Sequence, residues 1–299
     1  MTMRLTNSMI TRNVLSDLNN TAARLDHTRS MASSGKALTR PSDNPFETAR
    51  ALGLRESLAG TQQHQRNISD AVGWQESTEQ ALNQMTEVGQ RARALLVQGS
   101  SDTSDPTARE AIATELDQLA EAMKEHGNAT YAGRYIFAGT ATTTPPYQQG
   151  AIDASAADGG TMAREIGPGV SLAINTSVDG VLGSGGADGK MLSVLRKVAA
   201  DLRAGNGAAL RGADLTALDT NLEALVSVRA ENGAKSNRLE AALSRLQEQE
   251  ETTTRQLSDT EDADFAQTMI DLNTQQAAYQ AALQAGAKIV QSSLMDFLR

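Results

Sequence analysis

From Leu215 to Leu257 the chain steps by three and four residues through Leu215, Leu218, Leu222, Leu225, Arg229, Asn232, Ser236, Leu239, Leu243, Leu246, Glu250, Thr253 and Leu257. Eight of these 13 positions are Leu. A 3.5-residue repeat held over so many turns keeps one stripe facing a partner helix, which is the coiled-coil condition. Gly233 interrupts the run at a cost of about 1 kcal/mol without demanding a break. A second seam runs through Ile68, Ala71, Gln75, Thr78, Leu82, Met85, Gly89, Ala92, Leu96 and Gly99. Its helix is predicted to begin much earlier, at Asn44-Pro45-Phe46-Glu47, where Asn44 can cap the first turn, Pro45 has no amide to leave unpaired, and Glu47 can reach back to the cap. From Pro45 to Gly99 such a helix would run roughly 80 Å at 1.5 Å per residue. Asp105-Pro106 repeats the cap-then-proline signal ahead of Ile112, Leu116, Leu119 and Met123. Met191, Leu195, Val198 and Leu202 give a shorter helix its apolar face.

Between these flanks the composition changes. Residues 139–189 hold 11 of the 24 glycines and three of the six prolines, with only six charged residues. Such a stretch does not propagate a helix, and Val170-Ser171-Leu172-Ala173-Ile174, bounded by turn residues on both sides, reads as a strand. A small β-rich insert is expected, contributing little to the helical rod; a Gly-rich linker is the alternative reading. The fold class is therefore mainly α, a long coiled-coil rod with a small β-rich inserted domain and paired terminal helices. The divisions are 1–40 with 262–299, 41–138 with 189–261, and 139–188.

The pairing of the ends rests on two weak seams. Val14, Leu18, Thr21, Leu25, Thr28 and Ala32 form one; Phe265, Met269, Leu272, Gln276, Tyr279, Leu283, Gly286, Val290, Ser293 and Phe297 form the other. Residues 1–40 sum to a charge of +4 and residues 236–299 to −5, which favours their association. Helices so poor in large apolar residues need partners, so the ends are expected to order on assembly.

Composition narrows the function. The 299 residues carry a net charge of −9 and no cysteine. The acidic balance argues against a long-range grip on nucleic acid or on anionic membranes, and the missing cysteines remove disulfides, thiolate metal sites and a Cys nucleophile. No apolar run reaches the roughly 18 residues of a membrane span, and polar residues interrupt the N-terminal stretch before a signal-peptide core forms. Ser33-Ser34-Gly35-Lys36 and Ser42-Asp43-Asn44 match two of three penicillin-recognising motifs, but Lys-Thr-Gly is absent and the two lie nine residues apart. Asp259, Glu261, Asp262 and Asp264 lack the glycine a calcium loop needs at its sixth position and are expected near a helix start around Asp262, where the dipole favours them. His27, His64 and His126 sit on different predicted helices, and neither Gly35-Lys36 nor Gly189-Lys190 completes a phosphate loop. No catalytic residue, metal or cofactor is expected.

Ala32-Ser33-Ser34-Gly35-Lys36 followed by Arg40-Pro41-Ser42-Asp43-Asn44-Pro45 resembles the N-terminal signature of the flagellin superfamily. Leu257 to Ala266, Tyr279 to Leu283 and Ser292 to Leu298 resemble its C-terminal signature. Within it, Gly133-Arg134-Tyr135-Ile136-Phe137-Ala138-Gly139 ahead of Thr144-Pro145-Pro146-Tyr147 is similar to the branch found where the hook meets the filament; a filament subunit is the alternative. Asn44 stands where the family usually has Asp, an equally good cap. The resemblance implies a structural, non-enzymatic axial subunit outside the cell, exported by the flagellar type III route without a cleaved signal after a chaperone has engaged its C-terminal region. It also implies hook-associated protein 1, flagellin and further copies of itself, in a ring at the junction, as neighbours. Val14, Leu18, Leu25, Leu272, Tyr279, Leu283, Val290, Leu294, Phe297 and Leu298 are the expected assembly interface, with Pro41, Ser42, Asp43, Asn44 and Pro45 as the helix-start turn.

Overall fold

A computed structural model describes residues 7–101, 105–150 and 153–297. In order these form α1 (Asn7–Ser34), α2 (Pro45–Gly99), α3 (Pro106–Gly127), β1 (Thr130–Tyr131), β2 (Arg134–Tyr135), β3 (Ala163–Gly167), β4 (Val170–Ala173), α4 (Asp179–Leu182), α5 (Met191–Ala204), α6 (Gly207–Ala209), α7 (Leu215–Glu261) and α8 (Phe265–Phe297). A π-helical turn, Leu210–Asp214, leads into α7. The chain divides into two compact units, 1–60 with 249–299 and 61–248, so α2 and α7 each contribute to both.

The larger unit holds the apolar core. Along α2 the seam residues Ile68, Ala71, Leu82, Met85, Ala92 and Leu96 are buried, and with them the polar Gln75 and Thr78. On α7 no seam position is exposed: Leu218, Leu225, Asn232, Leu239 and Leu246 are buried and the residues between them half-buried. The polar interruption is satisfied in part across the helices, since Gln75 Nε2 donates to the Ile174 carbonyl at 2.6 Å and Asn232 Nδ2 to the Gln75 carbonyl at 3.3 Å. A buried amide of this kind specifies register in a helix pair. Beside this pair, α3 and α5 pack through Leu116, Ala120, Met123, Leu195, Val198 and Leu202.

The residues between α3 and α5 form two antiparallel hairpins. β1 and β2 turn at Ala132-Gly133, both at positive φ (48° and 76°), the backbone a two-residue hairpin requires. β3 and β4 turn at Pro168-Gly169 with a bulge between Glu165 and Gly167; the strand expected at Val170–Ile174 is β4. The expectation that this segment contributes little to the rod is overturned. Tyr147, Ile166, Leu172, Ile174, Val178 and Leu182 belong to the same buried cluster as the helices. Tyr147 is packed so closely on the end of α3 that a Cβ at Gly127 would lie 2.8 Å from its ring. Its phenol is pushed upward in pKa by burial and by Asp179, and it donates to the Gly183 carbonyl at 3.0 Å.

The smaller unit is built differently. α1 and α8 run antiparallel, with Val14 against Gly286 at one end and Gly35 bonded to Ala263 at the other. Among the described residues of this unit, Ala51 is the one buried apolar side chain; the other buried side chains are Thr21, Thr253, Glu261 and Thr268. Among the described residues the helix pair is held mainly by half-buried side chains, and helices so held gain little stability by themselves.

Candidate functional site

The two segments that carry the family signature meet in space. Gly35, at φ +69°, ends α1, its N–H donating to the Met31 carbonyl at 2.9 Å, the left-handed cap a glycine adopts without strain. Lys36 then forms an antiparallel bridge with Asp262: Ala37 N–H donates to the Glu261 carbonyl at 2.7 Å and Ala263 N–H to the Gly35 carbonyl at 2.9 Å. The Lys36 ammonium reaches Glu261 Oε1 at 2.7 Å and Asp262 Oδ1 at 2.6 Å, while Arg55 from α2 takes the other Glu261 oxygen. The hydrogen bonds Lys36 donates to Asp262 and then to Glu261 hold its pKa above the ordinary 10.5. Lys36, then Ser258, hold Asp262 below its ordinary 3.8. Because the Asp262 and Ala263 backbone is engaged in this bridge, α8 starts at Phe265 instead of near Asp262, with Asp264 Oδ1 accepting from Gln267 N–H at 3.1 Å.

The turn before α2 is folded on Asp43, whose Oδ2 accepts from Arg40 N–H at 2.7 Å and from the Thr39 hydroxyl at 2.9 Å. Asn44 caps α2 as expected, accepting from Glu47 N–H at 3.2 Å, and Pro45 is the first helical residue. Glu47 faces Arg50 at 3.9 Å. Pro41 lines an open cleft of about 220 Å³ with Leu38, Thr39, Arg40, Thr48, Ala51, Leu52, Arg55 and Glu261; Ser42 is exposed beside it. The residues that mimicked penicillin-recognising motifs thus serve a helix end, a turn, a cap and an ion pair.

The expected interface residues fall on more than one face. Val14, Leu18 and Leu25 of α1 are half-buried, as are Leu272 and Tyr279 of α8. Leu283 is not: it is 43% exposed, with Phe265 at 65% and Met269 at 37%. At 100° per residue these three lie within about 40° of one another on α8, beside the face formed by Thr268, Leu272, Gln275, Tyr279, Ala282 and Gly286 that is turned inward. The C-terminal seam is therefore two adjacent stripes, one packed within the chain and one open. Val290, Leu294 and Phe297 are placed as positions on the α8 backbone, and Leu298 lies outside the described residues. Sequence reasoning missed Arg55 and the pairing of Lys36 with Glu261; the available signal was the opposite charge of the two ends.

Among the described residues no group of three or more His, Asp or Glu could hold a metal ion, and no helix is long and apolar enough to cross a membrane. The bacterial flagellin N-terminal helical region matches residues 5–142 and the bacterial flagellin C-terminal helical region matches residues 215–298. This chain belongs to the bacterial flagellin family, whose members are structural proteins of the flagellum. Within it, the chain is 26% identical to flagellar hook-associated protein 3 of Escherichia coli, over 95% of this chain and 96% of that one. It is 25% identical to a flagellin of Bacillus subtilis, over 99% and 100%. Among solved structures, FlgL of Bacillus cereus aligns with a TM-score of 0.60 at 21% identity, covering 69% of this chain and 99% of that one. The flagellar junction protein FlgL of Legionella pneumophila aligns at 0.57 with 13% identity, covering 71% and 99%. At such identities these two establish the fold alone.

Proposed function

We propose that this chain is a structural, non-enzymatic axial subunit that joins the hook, through hook-associated protein 1, to the flagellin filament. Copies of the chain form the ring at that junction. The observation that carries the reading is the end-to-end similarity to flagellar hook-associated protein 3, together with a terminal helix pair that has an open apolar stripe. Leu283, Phe265 and Met269 are the contact we assign to neighbouring subunits, with Val290, Leu294, Phe297 and Leu298 continuing it. Val14, Leu18, Leu25, Leu272 and Tyr279 shape the pair that presents it, and Pro41 to Pro45 set the turn into α2. The protein acts outside the cell after type III export, handed over by a chaperone that holds its C-terminal region. Full-length similarity to a flagellin favours a second reading, a filament subunit.

Deleting the gene separates the two. A junction subunit predicts cells with hooks, no filaments and flagellin shed as monomer into the medium, cured by the wild-type chain. A filament subunit predicts hooks with no flagellin outside, and that result would reject the junction reading.

A further inference from the structure

We propose that Glu261, gripped by Lys36 and Arg55, is the positioning element that sets the angle at which the α1–α8 pair leaves α2 and α7, separately from the pairing of α1 with α8. The proposal rests on the assembly reading above. Three segments converge here: the loop after α1, the third turn of α2 and the α7–α8 turn. The two connections through which the helix pair is tied to the rest of the unit, 35–44 and 262–264, both start at this point.

The side chains are not equivalent. Lys36 and Asp262 are each 41% exposed, so their ion pair by itself contributes little. Glu261 is 7% exposed, and a buried carboxylate with a cation on each oxygen is costly to leave unpaired. Its two partners come from different elements, so its charge fixes the loop after α1 against α2. The backbone pair Ala37–Glu261 and Ala263–Gly35 holds the crossing point while the carboxylate holds the direction. The α1–α8 face has its own contacts, from Val14 on Gly286 down to Thr268, and does not use Glu261. Uncoupling direction from pairing is what a subunit needs if its open α8 stripe is to meet neighbours at one angle.

The chain has no cysteine, so paired spin labels can be placed without background. In the full-length protein, Ala59→Cys with Gln280→Cys reports the angle between α2 and α8, and Asn13→Cys with Lys288→Cys reports the pairing of α1 with α8. Glu261→Gln is expected to broaden the first distance distribution at least twofold and leave the second unchanged. Arg55→Gln, which frees α2 from the carboxylate and leaves the backbone bridge intact, is expected to do the same. An unchanged first distance in Glu261→Gln, or both distances broadening together, would overturn the proposal. Cells carrying Glu261→Gln should attach fewer filaments, and full attachment by a variant with a broadened distance would also overturn it. Filaments persisting on Leu283→Asp cells would count against the assembly reading while leaving the distances to judge the clasp.

Discussion

Removing the carboxylate of Asp153 should weaken the larger unit more than any surface substitution. The Lys124 side chain is fully buried, its Nζ 2.6 Å from Asp153 Oδ1 and 3.1 Å from Glu121 Oε1. Arg196 donates to Asp153 Oδ2 at 3.0 Å and reaches Asp117 Oδ1 at 3.0 Å and also Glu121. Asp153→Ala therefore removes the shortest ion pair of a buried ammonium and leaves it to Glu121 and the Gln148 carbonyl. Breaking a buried pair costs about 3–5 kcal/mol, and because Glu121 remains and Asp153 is 17% exposed, about 2–4 kcal/mol is the expected loss. For a unit of this size that lowers the thermal midpoint by about 4–16 °C, at about 2–4 °C per kcal/mol. The assay is thermal unfolding followed by helical circular dichroism at neutral pH. Lys124→Met combined with Asp153→Ala should recover at least half of the loss, because no unpaired charge then remains inside. A single variant within about 0.5 kcal/mol of wild type, the range of ordinary surface changes, would refute the reasoning.

Gly127→Ala should cost about 1–3 kcal/mol, since its methyl would press on the Tyr147 ring at 2.8 Å and the neighbouring core is full; a midpoint equal to wild type would show that the ring is free to move. Replacing residues 142–187 with a short Gly/Ser linker should abolish the cooperative melting of the remaining helices, because Ile166, Ile174, Val178 and Leu182 leave a shared core; an unchanged transition would restore the picture of an independent insert. Asp117, Glu121 and Asp153 are pushed up by burial but held below their ordinary values overall by the donors around them: Arg203 and Arg196 on Asp117, Gly150 N–H, Lys124 and Arg196 on Glu121, Arg196 and Lys124 on Asp153. Their folded pKa values lie below the unfolded ones, so the stability they contribute is present above about pH 4 and is lost as pH falls through the folded values. Melting at pH 7, 4 and 3 should show that loss, and Asp153→Asn should flatten it; a wild-type midpoint that does not fall would contradict the assignment.

The long helices were legible because their repeat is sustained. Every position named on α7 is turned inward, including the polar Arg229, Asn232 and Ser236, whose place in the stripe is set by the leucines on either side. The caps at Asn44 and Asp105 were equally plain, since a side-chain acceptor followed by proline acts within one turn. What composition concealed was attachment. Gly and Pro dominate the average over 139–189, but burial is decided by single residues such as Tyr147 and Ile174, and by the amide of Asn128 holding the Tyr147 backbone at 2.6 and 2.8 Å. The clasp was hidden for another reason: Lys36 and Glu261 are 225 positions apart, and nothing in local patterning specifies which of many carboxylates a given lysine will meet. On α8 a single seam hid two, because a helix of 3.6 residues per turn drifts off a seven-residue repeat, and Leu283 ends outside the face that Leu272 and Tyr279 occupy.

The measurement that tests the account most directly pairs stability with function in one substitution on that open stripe. Leu283→Asp places a charge on a side chain that the isolated subunit leaves 43% exposed, so the purified monomer should melt within about 0.5 kcal/mol of wild type. In cells the same change should leave hooks in place, strip them of filaments and send flagellin into the medium, because burying a leucine between subunits is worth about 1.5–3 kcal/mol and burying a charge is prohibitive. Normal filaments on Leu283→Asp cells, or a monomer markedly destabilised by the substitution, would contradict the account.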